Sequence, residues 1–124
     1  MNLKLNSLPL DLTVCKLATL DQLDLSAGFF FVARTDEEIS LVCETARVPE
    51  NTLVREDGWR AFRVEEGPLD FSLVGILSRI SAVLAENQIG IFAVSTYNTD
   101  YILVKKENFP KAQKVLTSEG YVFI

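Results

Sequence analysis

Two segments of this chain match each other without a gap when the sequence is slid by 62 residues. Six identities line up at that one spacing: Gly28/Gly90, Phe30/Phe92, Val32/Val94, Leu41/Leu103, Val42/Val104 and Gly58/Gly120. They fall in apolar strand-like runs and at the glycines that lead into them. Self-similarity at a fixed period is the mark of a duplicated structural unit. Whatever half of the chain folds into, the other half is therefore expected to repeat in some form.

The second half is the easier to read. Arg60-Ala61-Phe62-Arg63-Val64-Glu65 alternates polar and apolar, the period of a half-buried strand, and Gly67-Pro68 breaks it. Ser72 is a candidate N-cap for a run with apolar residues at Val74, Leu77, Ile80, Val83 and Leu84, which is helical spacing. That helix should end near Asn87-Gln88, before Gly90. Residues 91–96 and 101–104 are strands joined by the turn-like Tyr97-Asn98-Thr99-Asp100, so they form a hairpin. Asn108 can cap a second helix, with Pro110 in its first turn, that runs to about Ser118. Gly120 ends it, and residues 121–124 are a last strand. The order β-α-β-β-α-β is the ferredoxin-like signature.

Carried back by the repeat, residues 29–35 and 39–44 form the first hairpin, 49–55 a short second helix, and 59–62 the closing strand. Residues 12–17 are the first strand, and the stretch 18–27 leaves room for only one or two helical turns. The run 59–66 then has two duties, as the last strand of one unit and the first of the next. It must be shared, or the units must exchange terminal strands. The expected fold class is α+β: two ferredoxin-like units with antiparallel sheets, residues 1–60 and 61–124, closely integrated and without a flexible linker.

Composition narrows the chemistry. The 124 residues are 48% hydrophobic and 23% charged, ample for a core. The net charge of −5 repels phosphate backbones and anionic lipid, so neither nucleic acid nor membrane is expected as a partner. There is no histidine, hence no imidazole base, no Ser-His or Cys-His pair and no histidine metal ligand. No metal and no cofactor is expected. Cys15 and Cys43 each sit in an apolar run and read as buried free thiols. Met1-Asn2-Leu3-Lys4 lacks the apolar core of a signal peptide, and no apolar stretch approaches the ~20 residues of a membrane span. A cytoplasmic protein is expected. Phe29 and Phe31 point opposite to Phe30, so both faces of that strand are apolar, which favours a covered sheet surface and a homodimer.

Residues 69–77 (LDFSLVGIL) followed by 89–104 (IGIFAVSTYNTDYILV) resemble the ACT-domain family. The similarity is to the second unit of small bacterial tandem-ACT proteins related to the CASTOR arginine sensors, and more distantly to the regulatory domains of aspartate kinases. It covers residues 62–104, with Val94 where Ile is common; the first half rests on the internal repeat. The resemblance implies an amino-acid-binding site near the loop from the first strand into the first helix. By position, Ser72, Leu73, Val74 and Gly75 would face a carboxylate, which free N–H groups at a helix N-terminus favour. Gly75 would let the backbone approach a ligand. Asp100 would accept hydrogen bonds from an ammonium or guanidinium group, and Phe92, Ala93, Val94 and Ser95 would line the pocket.

Each of these residues also has a purely structural reading: Ser72 as a cap, Gly75 as a packing glycine in the first helical turn, Asp100 as a hairpin residue, Phe92 and Val94 as core. Three functions compete. The first is a regulatory or sensor module that binds an amino acid. The second is an ACT-type dimerisation module without a ligand. The third, an enzyme using Asp70 or Asp100 with Arg79, lacks any nucleophile–base constellation, so no catalysis is expected.

Overall fold

The computed structural model describes residues 3–65 and 75–124. Seven strands and two α-helices follow in the order β1 (Lys4–Leu17), β2 (Phe30–Arg34), β3 (Ile39–Glu44), β4 (Thr52–Val64), α1 (Ile76–Glu86), β5 (Phe92–Ser95), β6 (Asp100–Lys105), α2 (Phe109–Ser118) and β7 (Val122–Phe123). Among the described residues no helix is long and apolar enough to cross a membrane. The chain divides into two compact units, Met1–Pro9 with Arg60–Ile124 and Leu10–Trp59. The expected division put residues 1–60 together, whereas here the first nine residues group with Arg60–Ile124. Both long strands, β1 and β4, contribute residues to each unit.

In the unit Arg60–Ile124 with Met1–Pro9, the sheet order is β7-β1-β4-β6-β5. A simple ferredoxin-like sheet would place β7 beside β4. Here β7 pairs in parallel with β1 instead, through Lys4↔Val122 and Leu5↔Phe123. The Val122 and Ile124 amides donate to the carbonyls of Leu3 and Leu5 at 2.9 Å. On the other side of β1, the Glu65 amide donates to the Lys4 carbonyl at 2.9 Å. The early part of β1 thus lies between β7 and the end of β4 in this sheet. Leu3 and Leu5 join Phe62, Val64, Ile76, Ile80, Leu84, Ile102, Val104, Phe109 and Leu116 in one buried cluster. Phe62 is fully buried and packs against Phe109 and Phe123 with ring centroids 6.3 and 5.5 Å apart. Both helices bury one stripe onto this sheet face, as their apolar periodicity requires.

The unit Leu10–Trp59 has the order β2-β3-β1-β4. It contains no α-helix. The expected helix at 49–55 is replaced by a 3₁₀ turn at Thr45–Arg47 and the start of β4 at Thr52. Thr52, Leu53 and Val54 are β-formers in an extended run, and only the repeat had suggested a helix there. Residues 18–29 form turns and no helical turn. The first strand begins at Lys4, well before residue 12; Pro9 sits exposed within it, away from any need for its missing N–H. The inward face of this sheet carries Cys15, Leu17, Leu41 and Cys43, with Leu23, Phe30, Ile39 and Val48 packed on them.

The two hairpins match in detail, at a spacing of 61 and not 62. Arg34↔Ile39 in one corresponds to Ser95↔Asp100 in the other. Thr35 closes its turn by an N–H bond of 2.9 Å to the Glu38 carbonyl, and Thr96 does so at 2.8 Å to Thr99. A 3₁₀ turn follows each hairpin, Thr45–Arg47 and Lys106–Asn108. The identities at 62 therefore pair residues one step out of register. One step along a strand reverses the face. At 61, Leu41 and Cys43 of one core answer to Ile102 and Val104 of the other.

Candidate functional site

The carboxyl end of β4, the start of α1 and the β5–β6 turn belong to the same unit. The Thr99 hydroxyl donates to the Val64 carbonyl at 2.5 Å, which ties the turn to the end of β4. Within the turn, the Thr96 hydroxyl donates to the Thr99 carbonyl at 3.1 Å and accepts the Thr99 amide at 3.4 Å. Between the end of β4 and the β5–β6 hairpin lies a hollow of about 310 Å³ lined by Arg63, Val64, Glu65, Thr96, Asn98, Thr99 and Tyr101.

Its charged wall comes from the strand period. Phe62 and Val64 point into the core, so Arg63 and Glu65 share the opposite face. The Arg63 guanidinium donates through Nε to Glu65 Oε1 at 2.8 Å, and the Asn6 amide donates to the same oxygen at 2.8 Å. Both side chains keep about a third or less of their exposure, 34% and 27%. The Asn6 amide and the guanidinium hold the Glu65 carboxyl below the usual carboxylate range. Glu65, and after it the Tyr101 hydroxyl, push Arg63 higher still. A guanidinium has five N–H donors and a carboxylate has two oxygens, so a pair joined through Nε and Oε1 retains capacity on both partners. The arrangement can meet a carboxylate and an ammonium group at once.

A second, smaller hollow of about 140 Å³ adjoins the first turn of α1, lined by Leu3, Ile76, Arg79, Glu119 and Tyr121. Burial pushes the Tyr121 phenol up. Gly75 is the residue that caps α1, at φ 85° in the left-handed region, so it precedes the helix and does not sit in its first turn.

The positions expected from sequence are dispersed. Ser72, Leu73 and Val74 lie outside the described residues. Ser95 and Asp100 are brought together as a cross-strand pair, with the Ser95 hydroxyl donating to Asp100 Oδ1 at 2.6 Å. Phe92 and Val94 pair with Leu103 and Tyr101, and Ala93 and Ser95 face the other way. Asp100 and Tyr101 therefore point to opposite faces of β6. Arg63, Glu65 and Tyr101 were missed as site residues. The alternation that revealed β4 was itself the signal, since it put two opposite charges on one face at the strand's end. Among the described residues no cluster of three or more cysteines and carboxylates could hold a metal ion.

The family model described as ACT domain matches residues 54–118. Over 97 residues the chain is 29% identical to the cytosolic arginine sensor for mTORC1 subunit 1 of Bos taurus, covering 73% of this chain and 30% of that protein. The crystal structure of protein Atu0741 from Agobacterium tumefaciens aligns over 100% of this chain and 93% of its own, with a TM-score of 0.86 and 31% identity. E. coli aspartokinase III, solved with aspartate and ADP, aligns over 94% of this chain and 32% of its own, with a TM-score of 0.64 at 14% identity, a likeness of fold. The chain spans 30% to 63% of the length of the curated relatives it matches.

Proposed function

This chain belongs to the ACT-domain family, and we propose that it is a regulatory module that binds a free amino acid at the polar end of its helix-bearing unit. The observation that carries this reading is the Arg63–Glu65 pair, opposite charges 2.8 Å apart on the wall of a hollow of about 310 Å³. The ligand carboxylate engages the guanidinium donors left over from the bond to Glu65. The ligand ammonium engages the free side of the Glu65 carboxylate, and the Asn98 amide and Tyr101 hydroxyl orient the remainder. Charge-assisted bonds of this kind carry roughly twice the strength of neutral ones. The relatives' role in arginine sensing supports the ligand class and leaves its side chain open.

The proposed module acts as a homodimer and passes its signal to a partner protein. The apolar edge strand β2, which among the described residues pairs only with β3 and whose last three residues are exposed, favours self-association. Thermal shift against the twenty amino acids tests ligand binding, with light scattering on the same samples reading the dimer. A ligand at 100 times its Kd adds about 2.7 kcal/mol of stability. A flat response to all twenty contradicts the ligand; a monomer at every concentration contradicts the dimer.

A further inference from the structure

The unit without helices carries a hollow of its own. It measures about 230 Å³ and is lined by Leu20, Leu23, Leu25, Val32 and Arg34. Val32 and Arg34 pair with Leu41 and Ile39, so both lie on the inward sheet face, the one that α1 and α2 cover in the other unit. Here the short connection 18–29 takes the place of the first helix. Leu23 reaches the core, but Leu25 stays 75% exposed and Val32 40%. The connection is nonetheless held in place. The Asn51 amide donates to the Thr19 carbonyl at 3.1 Å, and Gln22 Oε1 accepts the Glu50 amide at 3.1 Å. The hollow is preformed, apolar on four of its five lining residues, and positively charged on the fifth. Arg34 has no ion-pair partner among the described residues.

We propose that this hollow binds a small amphipathic carboxylate, a branched or straight apolar tail ending in a carboxylate and bearing no ammonium group. The tail covers Leu20, Leu23, Leu25 and Val32, removing the exposed leucine and valine from water. The carboxylate pairs with Arg34. No lining side chain here can accept a hydrogen bond from an ammonium, in contrast to the Arg63–Glu65 groove. At about 30 Å³ per water-sized group, the volume suits a molecule of about eight non-hydrogen atoms. The acidic turn Asp36-Glu37-Glu38 next to Arg34 weakens anion binding, so the affinity is modest.

The test uses 4-methylpentanoate and its neutral counterpart 4-methylpentanamide, titrated into the full chain and followed by ¹⁵N–¹H correlation spectra. The expected result is saturable shifts at residues 20–25 and 32–34, with the amide binding at least about tenfold more weakly. Arg34→Gln should remove the difference between the two probes. The wild-type comparison stands by itself if that variant folds poorly. Equal response to both probes overturns the proposal. So does an absence of shifts up to about 10 mM, well beyond the millimolar Kd that a bare few kcal/mol would give. Shifts confined to residues 63–65 and 96–101 overturn it too.

Discussion

Glu65 receives two hydrogen bonds on one carboxylate oxygen, and this sets how its charge couples to stability. The carboxyl is held below its ordinary range, first by Asn6 and then by Arg63. A group whose folded value is depressed stabilises above its unfolded value and loses that contribution as pH falls through the folded value. Glu65→Gln should therefore cost about 0–1 kcal/mol at neutral pH, the scale of a partly exposed ion pair. Urea unfolding should show the gap between the variant and wild type closing as pH falls below the ordinary glutamate range of about 4. A gap independent of pH would mean that the hydrogen bonds, and not the charge, matter. The thiols offer a second residue-scale check. Burial, then Cys15, push Cys43 up to about 11, and burial raises Cys15 as well. The thiolate is the reactive form. Both cysteines should resist alkylation at pH 8 in the native state and react together on unfolding; fast labelling of either would contradict their burial.

At the scale of elements, Gly75 is the point where backbone geometry and sequence meet. Its φ of 85° suits glycine, and among the described residues a Cβ there would meet only Arg79 Nε at 3.9 Å. The cost of Gly75→Ala is thus conformational, about 1 kcal/mol or slightly more, read as a drop in melting temperature. No change would mean that α1 starts differently. The helices α1 and α2 and the β5–β6 hairpin were legible because their apolar spacing is strong and their ends carry Gly90, Pro110 and Gly120. The early elements were harder. Residues 4–11 hold Pro9 and polar positions that hide a strand, and 49–55 took a helix from the repeat although their own residues favour extension. The two hairpins match at a spacing of 61 and not 62, because chance identity at Leu41/Leu103 outweighed the structural match of Leu41 with Ile102. Of the described positions expected from sequence, Gly75, Phe92–Ser95 and Asp100, none lines the candidate hollow. Arg63 and Glu65 looked like the outer face of a strand, which they are; that a turn from residues 96–99 closes over them is a tertiary fact.

For the whole molecule, the two units divide the labour unevenly. One has a sheet covered by two helices and a polar hollow. The other is a bare sheet with a strap of turns and an apolar hollow. Two strands, β1 and β4, contribute residues to both units, while each of the two buried clusters is built from its own unit's residues. The helix-bearing unit is expected to lose stability if the chain is truncated through Leu5, since Leu3 and Leu5 are buried in its core. In the proposed function this core positions Arg63 and Glu65 to hold a zwitterion. Its most direct test is calorimetric titration of the best amino acid from the thermal-shift panel into wild type and Arg63→Gln. Binding to wild type that is lost in Arg63→Gln, with the variant's melting temperature within a few degrees of wild type, is the predicted result. Equal affinity for both proteins would contradict it.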